Sequence, residues 1–250
     1  MEEIAAYREE QQKKLEKLEN FESCRAALQE QLQKTEQKLD AAAHNLSKIR
    51  RNYAKRLETQ IIEGLRDLNF LHVAFEISFE KTKSYTENGT DAVEFLISTN
   101  PGEAIRPLAK VVSGGELSRI MLAIKTILAD RDETETLIFD EIDTGISGRM
   151  AQVVAEKMSQ IGDHHQVICV THLPQIAAMA DTQYLVCKYD ENGATRTEVT
   201  RLSESQRAQE IARMVGGAGC ESESSVRHAA VMLEEARARK QALRAAIEGK

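Results

Sequence analysis

The sequence predicts an α/β fold carried on a long N-terminal helix, and three observations lead there. Residues 1 to 65 hold no Pro and a single Gly, Gly64, and their apolar residues recur in alternating steps of three and four. Beyond residue 66, short apolar runs alternate with amphipathic stretches, the pattern of strands covered by helices. A Ser-Gly-Gly loop ahead of one such stretch is followed by an apolar strand that ends in two adjacent carboxylates.

The first stretch is rich in Glu, Lys, Gln, Leu and Ala, all strong helix formers. Its stripe runs Leu18, Phe21, Arg25, Leu28, Leu32, Thr35, Leu39, Ala42, Leu46, Ile49, Tyr53. A sustained period of about 3.5 residues is that of a coiled coil. Arg25 and Thr35 weaken the seam locally. The stripe is narrow, which favours a two-helix seam over a broad core face. The other reading is a long amphipathic helix packed on the globular part. One helix cannot bury its own stripe, so the coiled-coil reading demands a second helix, which the rest of the sequence does not supply.

From residue 70 the period changes. Phe70 to Phe79 alternates in part, and Val93 to Ile97 is a second apolar run, with Asn88-Gly89 as the turn of a hairpin. Pro101-Gly102 and Pro107 mark a loop. Helices are predicted over 117–129, 150–161, 205–215 and 222–247. Buried strands are predicted over 136–139 and 166–171, in a sheet covered by helices on both faces. Tyr184 to Cys187 and Thr197 to Thr200 read as a hairpin around Asn192-Gly193.

Composition narrows the class. Thirty-three basic residues against 40 acidic ones give a net charge of −7, which offers no general basic surface for nucleic acid or membrane. Cys24, Cys169, Cys187 and Cys220 fit no metal or redox spacing, and Cys169 sits in an apolar run that predicts a buried reduced thiol. No run reaches the ~18 apolar residues of a membrane span, and Met1-Glu2-Glu3-Ile4 is acidic, without a signal core. The chain reads as cytoplasmic, with no membrane partner.

Three short segments carry chemistry. Ser113-Gly114-Gly115-Glu116 precedes a helix: glycines let backbone N–H groups approach an anion, and the helix start adds partial positive charge. Ser113 can also cap that helix, and the same tetrapeptide is a common turn. Leu137 to Phe139 leads into Asp140 and Glu141, at the strand end where α/β sheets bind ligands. There Asp140 can hold Mg²⁺ and Glu141 can polarise a water, although a solvated acidic pair would look the same. Val167 to Thr171 ends in His172, whose neutral ring can donate to a transferred phosphoryl group or simply cap local structure.

Together the segments resemble the C-terminal half of an ABC-type ATPase head of the SMC-like class, as found in bacterial DNA repair. The residues that carry this are Pro101-Gly102-Glu103, the run Leu108 to Ile124, Leu137 to Gly148, Thr171 to Asp181 and Ile211 to Gly217. The resemblance covers essentially the whole chain. It implies a coiled-coil helix over 1–65, one strand of an antiparallel pair, and a head lobe over 66–250. It makes Ser113, Gly114, Gly115 and Glu116 the signature motif that contacts ATP on an opposing head. Asp140 becomes the Mg²⁺ carboxylate, Glu141 the catalytic base and His172 the switch histidine. Asp143 to Ser147 become the D-loop region, with Ser147 where many relatives carry Asp. The implied cofactors are ATP and Mg²⁺.

The sequence contains no Gly-x-x-x-x-Gly-Lys-Ser/Thr phosphate loop. The resemblance therefore implies that the N-terminal half of the same head supplies it, along with the outgoing coiled-coil helix. The remaining implied partners are a second head, in a homodimer that sandwiches ATP, and DNA. The implied function is ATP hydrolysis in recombinational repair of double-strand breaks by a nucleoid-associated protein. The alternative is a structural or dimerisation module of the same fold that does not turn over ATP.

Overall fold

The computed structural model describes residues 2–111, 113–191, 194–217 and 223–248. Val112, within the run Leu108 to Ile124, the Asn192-Gly193 turn, Cys220 and Ser222, the first residue of the predicted helix 222–247, lie outside them. The chain falls into two compact units: residues up to Arg56 with Ser78–Glu94, and Leu57–Ile77 with Phe95 onward.

Helix α1 runs from Glu2 to Asp67 without a break, 66 residues or about 99 Å at 1.5 Å per residue. Its exposed side carries i,i+4 pairs with Glu first, Glu9–Lys13, Glu10–Lys14 and Glu30–Lys34, the orientation that favours a helix. The heptad stripe stays in solvent: Phe21, Leu28 and Leu32 are 64, 60 and 59% exposed. The helix stops at Asn69, whose backbone is left-handed at φ 66°. Phe70 N–H donates to Leu65 O and Asn69 N–H to Arg66 O, both at 3.0 Å, the paired bonds of a Schellman stop, in which Asn tolerates the left-handed position.

In the first unit the hairpin tip meets α1. The Ser47 hydroxyl donates to Asp91 at 2.7 Å, and the Arg50 guanidinium donates to Asn88 O at 2.7 Å and to Asp91 at 3.2 Å. Gly89 sits at φ 92°, and a Cβ there would come within 3.2 Å of Leu46. The hairpin is longer than its apolar runs predict. β1 spans Ala74–Thr86 and β2 spans Gly89–Ser98, because Lys81 to Thr86 continues the pairing with polar residues. A two-residue β3, Arg106–Pro107, adds antiparallel to β2.

The second unit holds the rest. It contains α2 (Gly114–Leu128), β4 (Thr136–Phe139), α3 (Arg149–Ile161), β5 (Gln166–Cys169), α4 (Pro174–Met179), β6 (Tyr184–Glu191), β7 (Ala194–Arg201), α5 (Glu204–Gly216) and α6 (Glu223–Glu248). α4 is short and opens on Pro174, so no apolar period announces it. α3 buries Ala151, Val154, Ala155, Met158 and Ile161, an i, i+3, i+4, i+7 stripe, and each fully buried aliphatic side chain contributes about 1.5–3 kcal/mol. α5 starts with a complete capping box between Ser203 and Gln206. A cluster of Ala177, Ala178, Ile211, Ala212, Ala229 and Leu233 joins α4, α5 and α6.

The fold is α/β as expected, with one difference in its sheet. Among the described residues the parallel part is the pair β4–β5, in register from Thr136↔Gln166 to Phe139↔Cys169, while β2–β3 and β6–β7 pair antiparallel. Covering on both faces is not what this chain provides. Leu137 and Phe139 are buried on one face, but on the other Ile138, Ile168 and Val170 are 69, 45 and 61% exposed. A parallel strand reads as a continuous apolar run because both faces expect a layer, and the described residues supply only one. Cys169 is accordingly half-buried rather than buried.

Leu65→Ala, at 0% exposure, should cost about 2–5 kcal/mol in urea unfolding. Leu32→Ala, on the open stripe, should change stability by less than about 0.5 kcal/mol. Equal losses in the two variants would mean that the stripe is already covered in this chain.

Candidate functional site

The three segments singled out in the sequence meet where the parallel strands end. Val170 N–H donates to Phe139 O at 3.0 Å, so the residues after β4 and β5 leave the sheet side by side. Asp140 and Glu141 follow β4, and Thr171 and His172 follow β5.

Ser113 caps α2 as predicted: its hydroxyl accepts from Glu116 N–H at 3.4 Å, and Glu116 lies in the first turn, where a carboxylate suits the helix dipole. The start of this helix presses on the loop after β4. A Cβ on Gly114 would collide with the Glu141 carboxylate, and one on Gly115 would lie 2.9 Å from Glu141 O and 3.1 Å from the Thr144 Cβ. Close approach therefore requires glycine at 115, where backbone blocks a Cβ, whereas at 114 the exposed Glu141 side chain can swing aside. One turn on, the Ser118 hydroxyl donates to Asp140 O at 2.8 Å. The Arg119 guanidinium, 9% exposed, donates to Thr144 O at 2.8 Å and Ile142 O at 3.4 Å, and lies 5.7 Å from the centre of the Phe70 ring. Burial lowers the pKa of Arg119 from the ordinary guanidinium value.

Glu141 is exposed, with its backbone in the left-handed region at φ 55°, a conformation non-glycine residues rarely hold without support. The support is visible: Glu141 N–H donates to the Asp140 Oδ1 at 2.9 Å, and Glu141 O accepts from Thr144 N–H at 3.0 Å. Asp140 is also exposed, and its other carboxylate oxygen is engaged by no described residue. No group of three or more His, Cys, Asp or Glu among the described residues gathers as a metal cage. Asp140 nevertheless fits Mg²⁺, which typically takes one or two protein carboxylates and completes its shell with water and substrate phosphates.

His172 is anchored by Asp143. The Asp143 Oδ2 accepts from Thr171 Oγ1 at 2.7 Å and from His172 N–H at 2.8 Å, and lies 3.0 Å from His172 Nδ1. Asp143 is 5% exposed, while the histidine side chain is 74% exposed.

The structure thus brings Ser113 to Glu116, Asp140, Glu141 and His172 to one end of the parallel pair. Sequence reasoning placed Asp143 only within a loop and missed Ser118 and Arg119. The signal for the latter two was their position one turn beyond the glycines, on the side that meets the β4 loop. The Cys169 thiol is pushed up to about 12, first by burial and then by the nearby Asp143 and Asp140 charges.

Two tests follow from these contacts. Gly115→Ala should destabilise the chain by about 1–3 kcal/mol, because the neighbouring atoms are two backbone oxygens and the Thr144 Cβ, none of which can swing aside. Gly64→Ala, where a Cβ meets Ile127 at 3.5 Å, should stabilise α1 by about 0.5–1 kcal/mol. Thermal unfolding reads both, and a stabilising Gly115→Ala would refute the close approach. A raised thiol pKa leaves little thiolate until the pH nears that value. At pH 8, iodoacetamide should therefore modify exposed Cys24 and Cys187 and leave Cys169 unmodified by mass spectrometry.

No protein-family model matches the chain. Whole-sequence similarity is strong. The chain is 39% identical over 251 residues to the DNA repair protein RecN of Bacillus subtilis, covering 94% of this chain and 43% of that protein. It is 46% identical over 194 residues to RecN of Halalkalibacterium halodurans, covering 76% of this chain and 34% of that protein. For RecN of Treponema pallidum the values are 38% over 239 residues, 92% and 41%. A solved SMC head with coiled coil from Pyrococcus yayanosii aligns with 65% of this chain and 29% of its own, at 18% identity and a TM-score of 0.45, a likeness too weak to bear on function. The chain spans less than half the length of these RecN relatives. With relatives this similar along nearly all of its length, the chain belongs to the RecN family.

Proposed function

We propose that this chain is the C-terminal half of a DNA repair ATPase, with a coiled-coil helix over 1–65 and a head lobe over 66–250. The observation that carries the reading is the convergence of the Ser113-Gly114-Gly115-Glu116 helix start, Asp140, Glu141 and His172 at the carboxyl ends of two paired parallel strands. ATP hydrolysis needs a metal carboxylate, a group that polarises water, and donors for the phosphates, and those residue types meet here.

Asp140 would hold Mg²⁺, which would neutralise phosphate charge. Glu141 takes the proton of the attacking water. The unpaired N–H groups at the start of α2, with the Ser113 hydroxyl, face the γ-phosphate of ATP bound to an opposing head. The lobe carrying the phosphate loop comes from the N-terminal half. Its place is suggested by the open face of β4–β5, where Ile138, Ile168 and Val170 await an apolar layer. The α1 stripe takes the outgoing helix of that same half. Two such heads sandwich ATP, and DNA is the macromolecular partner. No helix among the described residues is long and apolar enough to cross a membrane, and a cytoplasmic, nucleoid-associated site of action accords with DNA repair.

In a head reconstituted with the phosphate-loop lobe, Glu141→Gln should keep ATP binding and cut turnover by at least ~100-fold, the loss expected for a general base. Near-normal turnover would sink that assignment and favour the structural module. The chain by itself should bind ATP poorly, and micromolar affinity by calorimetry would refute the division of the site. DNA affinity of the whole protein should fall steeply with salt if phosphate contacts dominate, and a flat titration would argue against them.

A further inference from the structure

Arg119 is a charged residue at a buried position of α2, and no role above uses it. It lies between Ser118, whose hydroxyl holds Asp140 O, and Ile120, which is fully buried. Both of its hydrogen bonds come from one nitrogen: Nη1 donates to Thr144 O at 2.8 Å and to Ile142 O at 3.4 Å. Its Nε is buried without an acceptor among the described residues. An apolar side chain of similar size would fill this place without giving up hydration or a donor. The stability of α2 alone therefore does not call for arginine here.

The two carbonyls belong to one turn. Thr144 N–H donates to Glu141 O at 3.0 Å, which closes residues 141 to 144 behind the left-handed Glu141. A guanidinium that holds both Ile142 O and Thr144 O fixes two peptide planes of that turn. Glu141 N–H is held by the Asp140 carboxylate, and the Asp143 carboxylate by Thr171 and by the His172 N–H. Little backbone freedom is left, and the backbone decides where the Glu141 side chain starts and which rotamers it can take.

We infer that Arg119 is a positioning residue for Glu141: by gripping the carbonyls of Ile142 and Thr144 it holds the 141–144 turn in the shape from which the Glu141 side chain projects. The tie stands on geometry, and its bearing on turnover rests on the ATPase reading above. Lysine cannot replace arginine here, because its ammonium ends one bond short of Nη1 and lacks the planar fork.

Amide exchange in the chain by itself tests the tie. In Arg119→Lys the Thr144 N–H should exchange at least about 10-fold faster, the scale of one lost charged hydrogen bond, while amides in the middle of α2 change little. Equal acceleration at both places would mean that the variant only loosens the fold. An unchanged Thr144 would mean that the turn holds without the guanidinium. Either result overturns the inference. Leu122→Ala, which removes a fully buried apolar side chain from the same helix, should show no such preference for Thr144.

In a head reconstituted with the phosphate-loop lobe, Arg119→Lys should lower kcat by about 10- to 100-fold with the KM for ATP little changed, the scale of a small misplacement of a reacting group. The loss should vanish in the Glu141→Gln background, because a residue that acts through Glu141 then has nothing left to position. Leu122→Ala, assayed at a temperature where both variants stay folded, should keep kcat. An unchanged kcat in Arg119→Lys, or an equal loss with and without the Glu141 carboxylate, overturns the positioning role. If the unaltered head hydrolyses no ATP, the ATPase reading fails, and the exchange measurement still decides whether Arg119 holds the turn.

Discussion

The site depends on how closely the start of α2 lies against the loop after β4. Gly115 leaves no room for a side chain, and Ser118 and Arg119 take up the carbonyls of Asp140, Ile142 and Thr144 from the next turn of the same helix. That loop has no secondary structure of its own to hold it. Its carbonyls are satisfied by a helix whose buried face already packs into the core, so the loop inherits the rigidity of α2. The left-handed backbone of Glu141 can be sustained only in such a frame, since an unsupported residue would relax at a gain of about 1–3 kcal/mol. The two motifs that stand apart in the sequence are therefore one mechanical object.

Arg119 illustrates the cost of that frame. A guanidinium at 9% exposure gives up hydration, and its lowered pKa records the penalty. Two carbonyl acceptors and the Phe70 ring offset part of it. Charged donors to carbonyls make stronger bonds than neutral ones, about 1.5–3 kcal/mol each, which suits a loop that must not move. Asp143 solves the complementary problem. It is buried and negative, and its donors come from the residues that lead out of β5. One cation from the helix and one anion from the loop thus tie α2, β4 and β5 together where the strands end.

Much of this was legible in the sequence, and the rest was not for physical reasons. The long helix could be read because its heptad stripe repeats over many turns, and its stop at Asn69 follows from a side chain that tolerates left-handed backbone. The Ser113 cap, the end of β4 just before Asp140, and the hairpin at Gly89 are each set by residues within a few positions of one another, whereas β5 stops at Cys169, two residues short of the run that predicts it. The open face of β4–β5 was not legible. An apolar run such as Leu137-Ile138-Phe139 reports that both faces seek cover but not whether this chain provides it. The tie between Asp143 and His172 spans 29 positions, and no local period encodes which loop carboxylate meets which histidine. The same holds for Arg119, whose pattern position marks it as buried while its charge marks it as exposed. Only the carbonyls it finds resolve that conflict.

The two readings of the chain, ATPase half and inert module, place different demands on the same atoms. A module built only to pair needs the apolar stripe of α1 and the open face of β4–β5, and both would serve it equally well. It has no need of a left-handed Glu141, which α2 must prop up, nor of a buried carboxylate spent on the Thr171 hydroxyl and the backbone N–H of an exposed histidine. Each departs from the lowest-energy choice for a strand end, where a turn with Gly or Asn would satisfy the backbone without strain or buried charge. Costs of backbone strain and buried charge, concentrated at the carboxyl ends of parallel strands, are what a reacting site requires and what a structural contact would discard.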